Sequence, residues 1–537
     1  MNIHVKKMLL ISIIFFNASS LGRTEDKPAL VVMIAVDSLR RDRIHADFPG
    51  GLGRLVRQGK VFTKAQLNHG VTTTCAGHAV MLTGTNPGKA GIPGNTYVDR
   101  QSWEDRYCVE DDDAANRVIG GESNRSPKNL RVTTLGDWLK AVDGNTRVFS
   151  VGGKDRAAIT LAGHGADGVF WFDRHQGRFT SSRYYTDQLP GYINDFNGSE
   201  PLKNGFLSSL PEYWEHPVGT RRIDNYPGED NEFSSVSGHP LRRGDLEQTA
   251  NQMYVTPFLD SATLEIARKI IELERLGQHG RTDLLAVALS ANDTVGHLYG
   301  PFSAESEDTL NNVDEKLGEF LLFLDETVGA DNYIIAFSAD HGVAELPEWS
   351  LENNRLQCPV DSGRASAYGF IIRMYWYLYK NFTFPFGNPT NLAKISGARL
   401  SVNSFYAERH GIDPDEVVMG LKSLLENQKS VKHAWTIKEI KESSDDVARL
   451  YRNSYVRNMS GDLFIQTYPT CIVVQKGTSH GSPYDYDRNI PLIFYGKGIE
   501  PGVSDAMAHS VDIATTLAGL LGVDSPANVD GRWLKLD

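Results

Sequence analysis

Three short apolar runs rich in β-branched residues each end in an acid: Leu30 to Val36 before Asp37, Leu284 to Leu289 before Asp293, and Tyr333 to Ser338 before Asp340. Runs that are apolar throughout, with no alternation, are what strands covered on both faces require, so they predict a parallel sheet. Between the last two, Thr309 to Thr327 places Leu310, Val313, Leu317, Leu321 and Leu324 at helical spacing. A strand, a helix and another strand form a right-handed crossover unit. Arg147 to Val151 and Leu492 to Tyr495 read as further strands, and Val511 to Leu521 as a C-terminal helix. The predicted class is α/β, with a mostly parallel central sheet flanked by helices. Two stretches break the pattern, about Asp173 to Gly280 (173–280) and about Leu346 to Thr470 (346–470). They read as insertions capping a site; the second holds the helix-like segments Asp413 to Glu426 and Trp435 to Tyr451.

The N-terminus changes the picture of where this chain works. Lys6 and Lys7 precede the apolar run Met8 to Phe16 and the small residues Ala18, Ser19 and Ser20, the order of a secretory signal. The run is too short to span a bilayer, and no later stretch reaches the roughly 20 apolar residues needed. The expected organisation is a signal peptide over residues 1–20 and one catalytic domain over 21–537, periplasmic or secreted and without membrane insertion. The net charge of −12 would become −14 on losing the two lysines of that segment, which argues against nucleic acid as a partner. The four cysteines form no CxxC pair, and Cys358 with Cys471 is a candidate disulfide.

The candidate chemistry gathers at the strand ends, where open α/β sheets bind ligands. Asp293-Thr-Val-Gly-His297 puts a carboxylate and an imidazole on one helical face, Asp340-His341 follows a strand directly, and Thr478-Ser-His480-Gly supplies an imidazole in a Gly-flanked turn. With Asp37 these are zinc-type ligands. Singly each is weak, because an Asp at a strand end is usually a cap. Their joint placement makes coincidence the poorer explanation. The segment Val71-Thr-Thr-Thr-Cys-Ala-Gly-His78 reads as a hydroxyl-rich helix N-terminus, either a simple cap or, beside metal ions, an activated nucleophile on an anion-binding helix end. Lys154 and Arg156, two apart on an expected extended segment, read either as solvated charges or as a cationic grip on phosphate.

Ala35-Val-Asp37, Thr74-Cys-Ala-Gly-His78, Thr83-Gly84, Gly91-Ile-Pro-Gly-Asn95, Lys154-Asp-Arg156, Asp293 with His297, Asp340-His-Gly342 and His480-Gly481 occur in the order found in the alkaline phosphatase superfamily. The chain resembles its phosphate-irrepressible, threonine-nucleophile bacterial members, on the nucleotide pyrophosphatase/phosphodiesterase-like branch. That resemblance implies hydrolysis of small phosphate monoesters through a phosphothreonine at Thr74. It implies two zinc ions, one on Asp293, His297 and His480, the other on Asp37, Asp340, His341 and Thr74. Asn95, Lys154 and Arg156 would bind the phosphate oxygens. Thr72 and Thr73 leave the register of the nucleophile open. The rivals are a diesterase of the same superfamily and a non-catalytic metal-stabilised envelope binding protein. A sulfatase lacks support because Cys75-Ala-Gly-His-Ala has no Arg at the expected place, and a cofactor-independent phosphoglycerate mutase conflicts with the signal segment.

Overall fold

The computed structural model describes residues 27–215, 224–241, 244–383 and 387–536; the expected signal segment, residues 1–20, lies outside the described residues. Nine strands form the main sheet: β1 Leu30–Val36, β2 Lys60–Gln66, β3 Val148–Gly152, β4 Gly168–Asp173, β5 Arg178–Thr180, β6 Asp283–Leu289, β7 Tyr333–Ser338, β8 Leu492–Gly496 and β9 Gly502–His509. Their spatial order is β9-β2-β8-β7-β1-β6-β3-β4-β5. The pairs β7-β1, β1-β6, β6-β3, β3-β4 and β9-β2 are parallel, and β8 and β5 run antiparallel to their neighbours. The mostly parallel sheet read from the sequence is therefore present. Every residue of β1 is fully buried, as expected for the central strand of a sheet with helices on both faces.

The helices that matter for the site are α1 Thr74–Thr83, α2 Asp155–Ala162, α3 Phe258–Leu273, α4 Ala291–Tyr299 and α5 Ala304–Leu324. Strand order sets the site. Asp340 follows β7, Asp37 follows β1, the helix carrying Asp293 follows β6, and Lys154 follows β3, so four neighbouring strands deliver these residues side by side at one edge. Lys154 is the last residue before α2 and Arg156 lies in its first turn. The extended segment expected around Lys154 and Arg156 is thus corrected: Asp155 starts a helix, and the two cations leave it in different directions.

Residues 173–280 divide in space, because α3 packs on the sheet through the buried Leu264, Ile266, Ala267, Ile270 and Ile271. Residues 346–470 contribute to a second sheet, antiparallel throughout, in the order Ala393–Ser396, Arg399–Val402, Leu463–Thr467, Val431–Thr436. Its own core includes Met374, Leu400, Val417, Leu421 and Leu463. The helix expected from Trp435 to Tyr451 is instead the end of a strand and two helices, Ile437–Glu442 and Asp446–Ser454. A reciprocal cap between Thr436 and Glu439 starts the first, and Asp445 caps the second. The Cys358–Cys471 disulfide closes the base of this subdomain, and a second bond joins Cys75 to Cys108. Among the described residues no helix is long and apolar enough to cross a membrane.

Candidate active site

Six of the predicted ligands fall into two groups, Asp293 with His297 and His480, and Asp37 with Asp340 and His341; within each group the donor atoms lie within 4.8 Å of one another. His297 and His480 place Nε2 at 3.5 and 3.6 Å from Asp293 Oδ1. His341 Nε2 lies 3.5 Å from Asp37 Oδ1 and 3.2 Å from Asp340 Oδ2. The His341 and His480 rings stack at 3.7 Å, so the two groups adjoin.

The tautomers follow from the partners. His297 Nδ1 faces the Thr478 carbonyl at 2.9 Å, His480 Nδ1 the Thr72 carbonyl at 2.8 Å, and His341 Nδ1 the Gly342 carbonyl at 2.9 Å. A carbonyl oxygen only accepts, so each Nδ1 carries the proton and each Nε2 turns its lone pair toward a carboxylate. Burial, with His341 as neighbour, pushes His480 well below the usual imidazole range, and burial lowers His341 as well, so both are neutral. Lone pairs therefore face carboxylate oxygens. Asp37 Oδ1, Asp293 Oδ1, Asp340 Oδ2 and His341 Nε2 are all buried without a hydrogen-bond partner. That is costly for protein alone and is what divalent cations resolve. The residues fit metal ions.

One buried cation lies among these acids. Lys154 Nζ contacts Asp37 Oδ2 at 2.6 Å and also Asp293 Oδ2, bridging the two groups. Burial opposes its charge, but Asp293 and Asp37 outweigh burial and hold the ammonium firmly protonated. Burial, Asp293 and Asp340 in turn raise Asp37 well above the carboxylate range. Burial also works against the charged form of Asp293, but the Lys154 ammonium holds it well below that range.

Thr74 opens α1, every residue of which is buried. The helix reaches the Asp340 loop only because of Gly77, where a Cβ would stand 2.1 Å from the Asp340 carbonyl oxygen. His78, one turn along, places Nδ1 2.9 Å from the Thr74 carbonyl and 3.1 Å from Asp340 Oδ2. The Cys75 amide at this helix end is not free for an anion, since it donates to Asn95 Oδ1 at 2.9 Å. That bond orients the Asn95 carboxamide, leaving its NH₂ as the donor. The second subdomain buttresses the same loop: Arg399 donates to the Pro93 and Thr96 carbonyls at 2.9 and 2.5 Å.

Arg156 Nη2 lies 3.4 Å from Thr74 Oγ1, and Nη1 donates to the Tyr107 hydroxyl at 3.2 Å. The Tyr107 hydroxyl donates in turn to Asp155 Oδ1 at 2.6 Å, and Arg125 Nε holds Asp155 Oδ2 at 2.7 Å. Sequence reading missed this chain because Tyr107 and Asp155 are 48 residues apart. It also missed the Cys75–Cys108 bond, which ties the Thr74 helix to the strand end bearing Tyr107. Three further residues escaped notice. Ser38, at φ 63°, gives its amide to Asp340 Oδ1 at 3.0 Å. Asp260 on α3 accepts the Ser290 and Ala291 amides at 2.6 and 3.0 Å, capping the helix that carries Asp293 and His297. Asn292 donates to the Asp37 carbonyl at 2.9 Å.

With Lys154 only 3 % exposed and Arg156 half-buried against Thr74, neither is a solvated surface charge. The site joins two ligand groups, a hydroxyl on a helix end and two cations, which is the apparatus of a metal-dependent phosphoryl hydrolase. The sequence profile of the type I phosphodiesterase / nucleotide pyrophosphatase family matches residues 31–362, and the chain belongs to that family. It is 32 % identical to the alkaline phosphatase PhoV of Synechococcus elongatus, over 95 % of this chain and 93 % of that one. It is 31 % identical to the alkaline phosphatase PafA of Elizabethkingia meningoseptica, over 94 % of each. The crystal structure of wild-type PafA superposes with a TM-score of 0.85 at 30 % identity, covering 95 % of this chain and 98 % of that one.

Proposed function

We infer that this protein is an alkaline phosphatase that hydrolyses small phosphate monoesters through a phosphothreonine at Thr74. The observation that carries the reading is the placement of the Thr74 hydroxyl on a buried helix packed against the Asp340 loop, with Arg156 3.4 Å away. The carboxylate and imidazole donors, in two groups of three, suit zinc, and Thr74 Oγ would join the group of Asp37, Asp340 and His341 as the family resemblance implies. When bound, two such ions supply Lewis acidity at the attacking and departing oxygens. The signal-like N-terminus and the two disulfides support an exported protein whose catalytic domain begins after residue 20.

Thr74 Oγ forms a bond to phosphorus, its proton passing to solvent, as the ester P–O bond breaks, and the departing alkoxide takes a proton from water. In the second step water attacks phosphorus from the opposite side, the Thr74 O–P bond breaks, a proton from the attacking water restores the Thr74 hydroxyl by way of solvent, and phosphate leaves. Asn95 Nδ2 and Arg156 donate to the non-bridging oxygens, while Lys154 adds positive charge at the floor between the ligand groups. Tyr107 and Asp155 hold the guanidinium plane. Assays of purified protein on matched aryl monoester, diester and sulfate should rank the monoester first. A diester turned over faster would favour the phosphodiesterase reading suggested by the family's description, and bound metal without turnover would favour a binding protein.

Two smaller predictions arise here. Metal analysis should find about two zinc ions per chain, and His480→Ala should remove about one while the far-UV circular dichroism is unchanged, because the residue sits on a loop. Magnesium-only protein with full activity would overturn the zinc assignment. Tyr107→Phe should lower monoester kcat/KM about tenfold, the worth of one hydrogen bond to a charged group, with a smaller effect on the diester. An unchanged monoester to diester ratio would show that Tyr107 does not position Arg156.

A further inference from the structure

His480 reaches the candidate active site from an irregular loop. The stretch Cys471-Ile-Val-Val-Gln-Lys-Gly-Thr-Ser-His480 lies in no helix or strand. Residues 473–476 in its middle are exposed, Val473 and Val474 among them, so burial of apolar side chains does not hold it. Such a loop samples many conformations unless polar contacts restrain it. An imidazole that meets an ion at a fixed place needs that restraint.

Arg364 supplies it. The side chain is 10 % exposed, and acceptors stand at all five of its N–H groups. Nε and Nη2 pair with Glu348 Oε1 and Oε2, both at 2.7 Å. Nη1 donates to the Val474 carbonyl at 2.9 Å and the Gly477 carbonyl at 3.1 Å, and Nη2 also donates to the Gly228 carbonyl at 3.3 Å. One guanidinium thus joins the short helix Pro347–Glu352, residues 224–241 and the loop before His480. Its own backbone is fixed as well: the Ala365 amide donates to the Ile472 carbonyl at 2.8 Å and the Ile472 amide to the Gly363 carbonyl at 2.9 Å, beside the Cys358–Cys471 bond. A plain surface ion pair with Glu348 would account for none of the three carbonyls.

From Gly477 the chain passes directly to the ligands. The Gly477 amide donates to the Gly228 carbonyl at 2.7 Å, and the Thr478 amide to the His297 carbonyl at 2.8 Å. This approach requires glycine, because at φ 63° a Cβ on Gly477 would stand 2.0 Å from the His297 carbonyl oxygen. The Thr478 hydroxyl donates to the Ala344 carbonyl at 3.0 Å, and the Thr478 carbonyl accepts from His297 Nδ1 at 2.9 Å. His480 follows two residues later. The placement of residues 474–478 therefore sets both the ring orientation of His297 and the position of His480.

We propose that Arg364 is a positioning residue for the group of Asp293, His297 and His480. Its planar guanidinium fixes residues 474–477 and, through Thr478, aims both imidazoles at a common ion. The inference rests on the reading that this group holds an ion. Lysine is no substitute, since an ammonium has no planar fork with which to hold Glu348 and two loop carbonyls together.

The test uses the full-length zinc-loaded protein, equilibrated with graded concentrations of a competing chelator, so that the zinc retained reads the affinity of each bound ion. Arg364→Ala should weaken one of the two ions by about 10- to 100-fold, the usual effect of removing a group that holds a metal ligand in place, and leave the other unchanged. Arg364→Lys should fall close to the alanine variant, and it carries the same test should Arg364→Ala fail to fold. In a His480→Ala background, where that ion is already lost, Arg364→Ala should not alter the affinity of the ion that remains. A general loosening of the fold would instead weaken both ions and would add to the effect of His480→Ala. Unchanged affinities in the folded variants, equal weakening of both ions, a further loss on top of His480→Ala, or wild-type affinity in Arg364→Lys would each overturn the proposal. Wild type that holds no zinc would overturn the reading of the ligand group together with the proposal, whereas two ions in the wild type and unaltered affinities in the variants would overturn the role of Arg364 alone.

Discussion

Thr74→Ala is expected to lower monoester turnover by on the order of 10⁴-fold or more, because it removes the atom to which phosphorus is transferred and not merely a contact to it. Thr74→Ser keeps a hydroxyl at the same helix end and should retain a measurable fraction of activity. The fold should survive both changes: Thr74 occupies the first position of its helix, and the Cys75 amide keeps its bond to Asn95 Oδ1. Thermal melting and zinc content of the alanine variant check that the loss is chemical. Thr72 supplies a built-in control. It is fully buried, but its hydroxyl donates to the Ser482 carbonyl at 2.9 Å, so it is engaged elsewhere. Thr72→Ala should cost far less turnover than Thr74→Ala. A larger loss from Thr72→Ala would mean that the nucleophile lies two residues earlier.

The double variant Lys154→Ala/Arg156→Ala should lose on the order of 10² to 10⁴ in monoester kcat/KM, if each cation contributes a charge-assisted interaction of about 1.5 to 3 kcal/mol. Diester turnover should fall much less, since a diester carries one negative charge fewer and fills the space of one oxygen with a substituent. The two cations should also separate when changed singly. Arg156 touches the Thr74 hydroxyl and is held by Tyr107, so Arg156→Ala should act mainly on the monoester preference. Lys154 bridges Asp37 and Asp293, so Lys154→Ala should also raise the metal concentration needed for half-maximal activity. Equal losses on monoester and diester would contradict the assigned roles.

Parts of this arrangement were legible in the sequence for a physical reason. β1 and β7 were read to the residue because strands buried on both faces must be apolar throughout. β2, Lys-Val-Phe-Thr-Lys-Ala-Gln, and β9, largely exposed, carry too few apolar residues to stand out, and only their pairing with the rest of the sheet defines them. The ligand groups were visible because Asp and His at the ends of adjacent strands converge by topology alone. What converges by tertiary packing was not visible. No spacing announces that Cys75 meets Cys108, that Tyr107 and Arg125 both meet Asp155, or that Asp260 caps a helix 30 residues later. Lys154 and Arg156 were recognised as a pair, but their geometry turned on where a helix begins, which is the least determined feature of a short polar stretch.

The most direct measurement is acid quenching of the zinc-loaded wild-type protein during turnover of an aryl monoester, followed by digestion and mass spectrometry of the peptide containing residues 72–74. Phosphate covalently attached to Thr74, and absent when Thr74→Ala is treated in the same way, is the predicted result. Phosphate on Thr72, Thr73 or another residue, or full turnover with no phosphorylated peptide at any quench time, would contradict it.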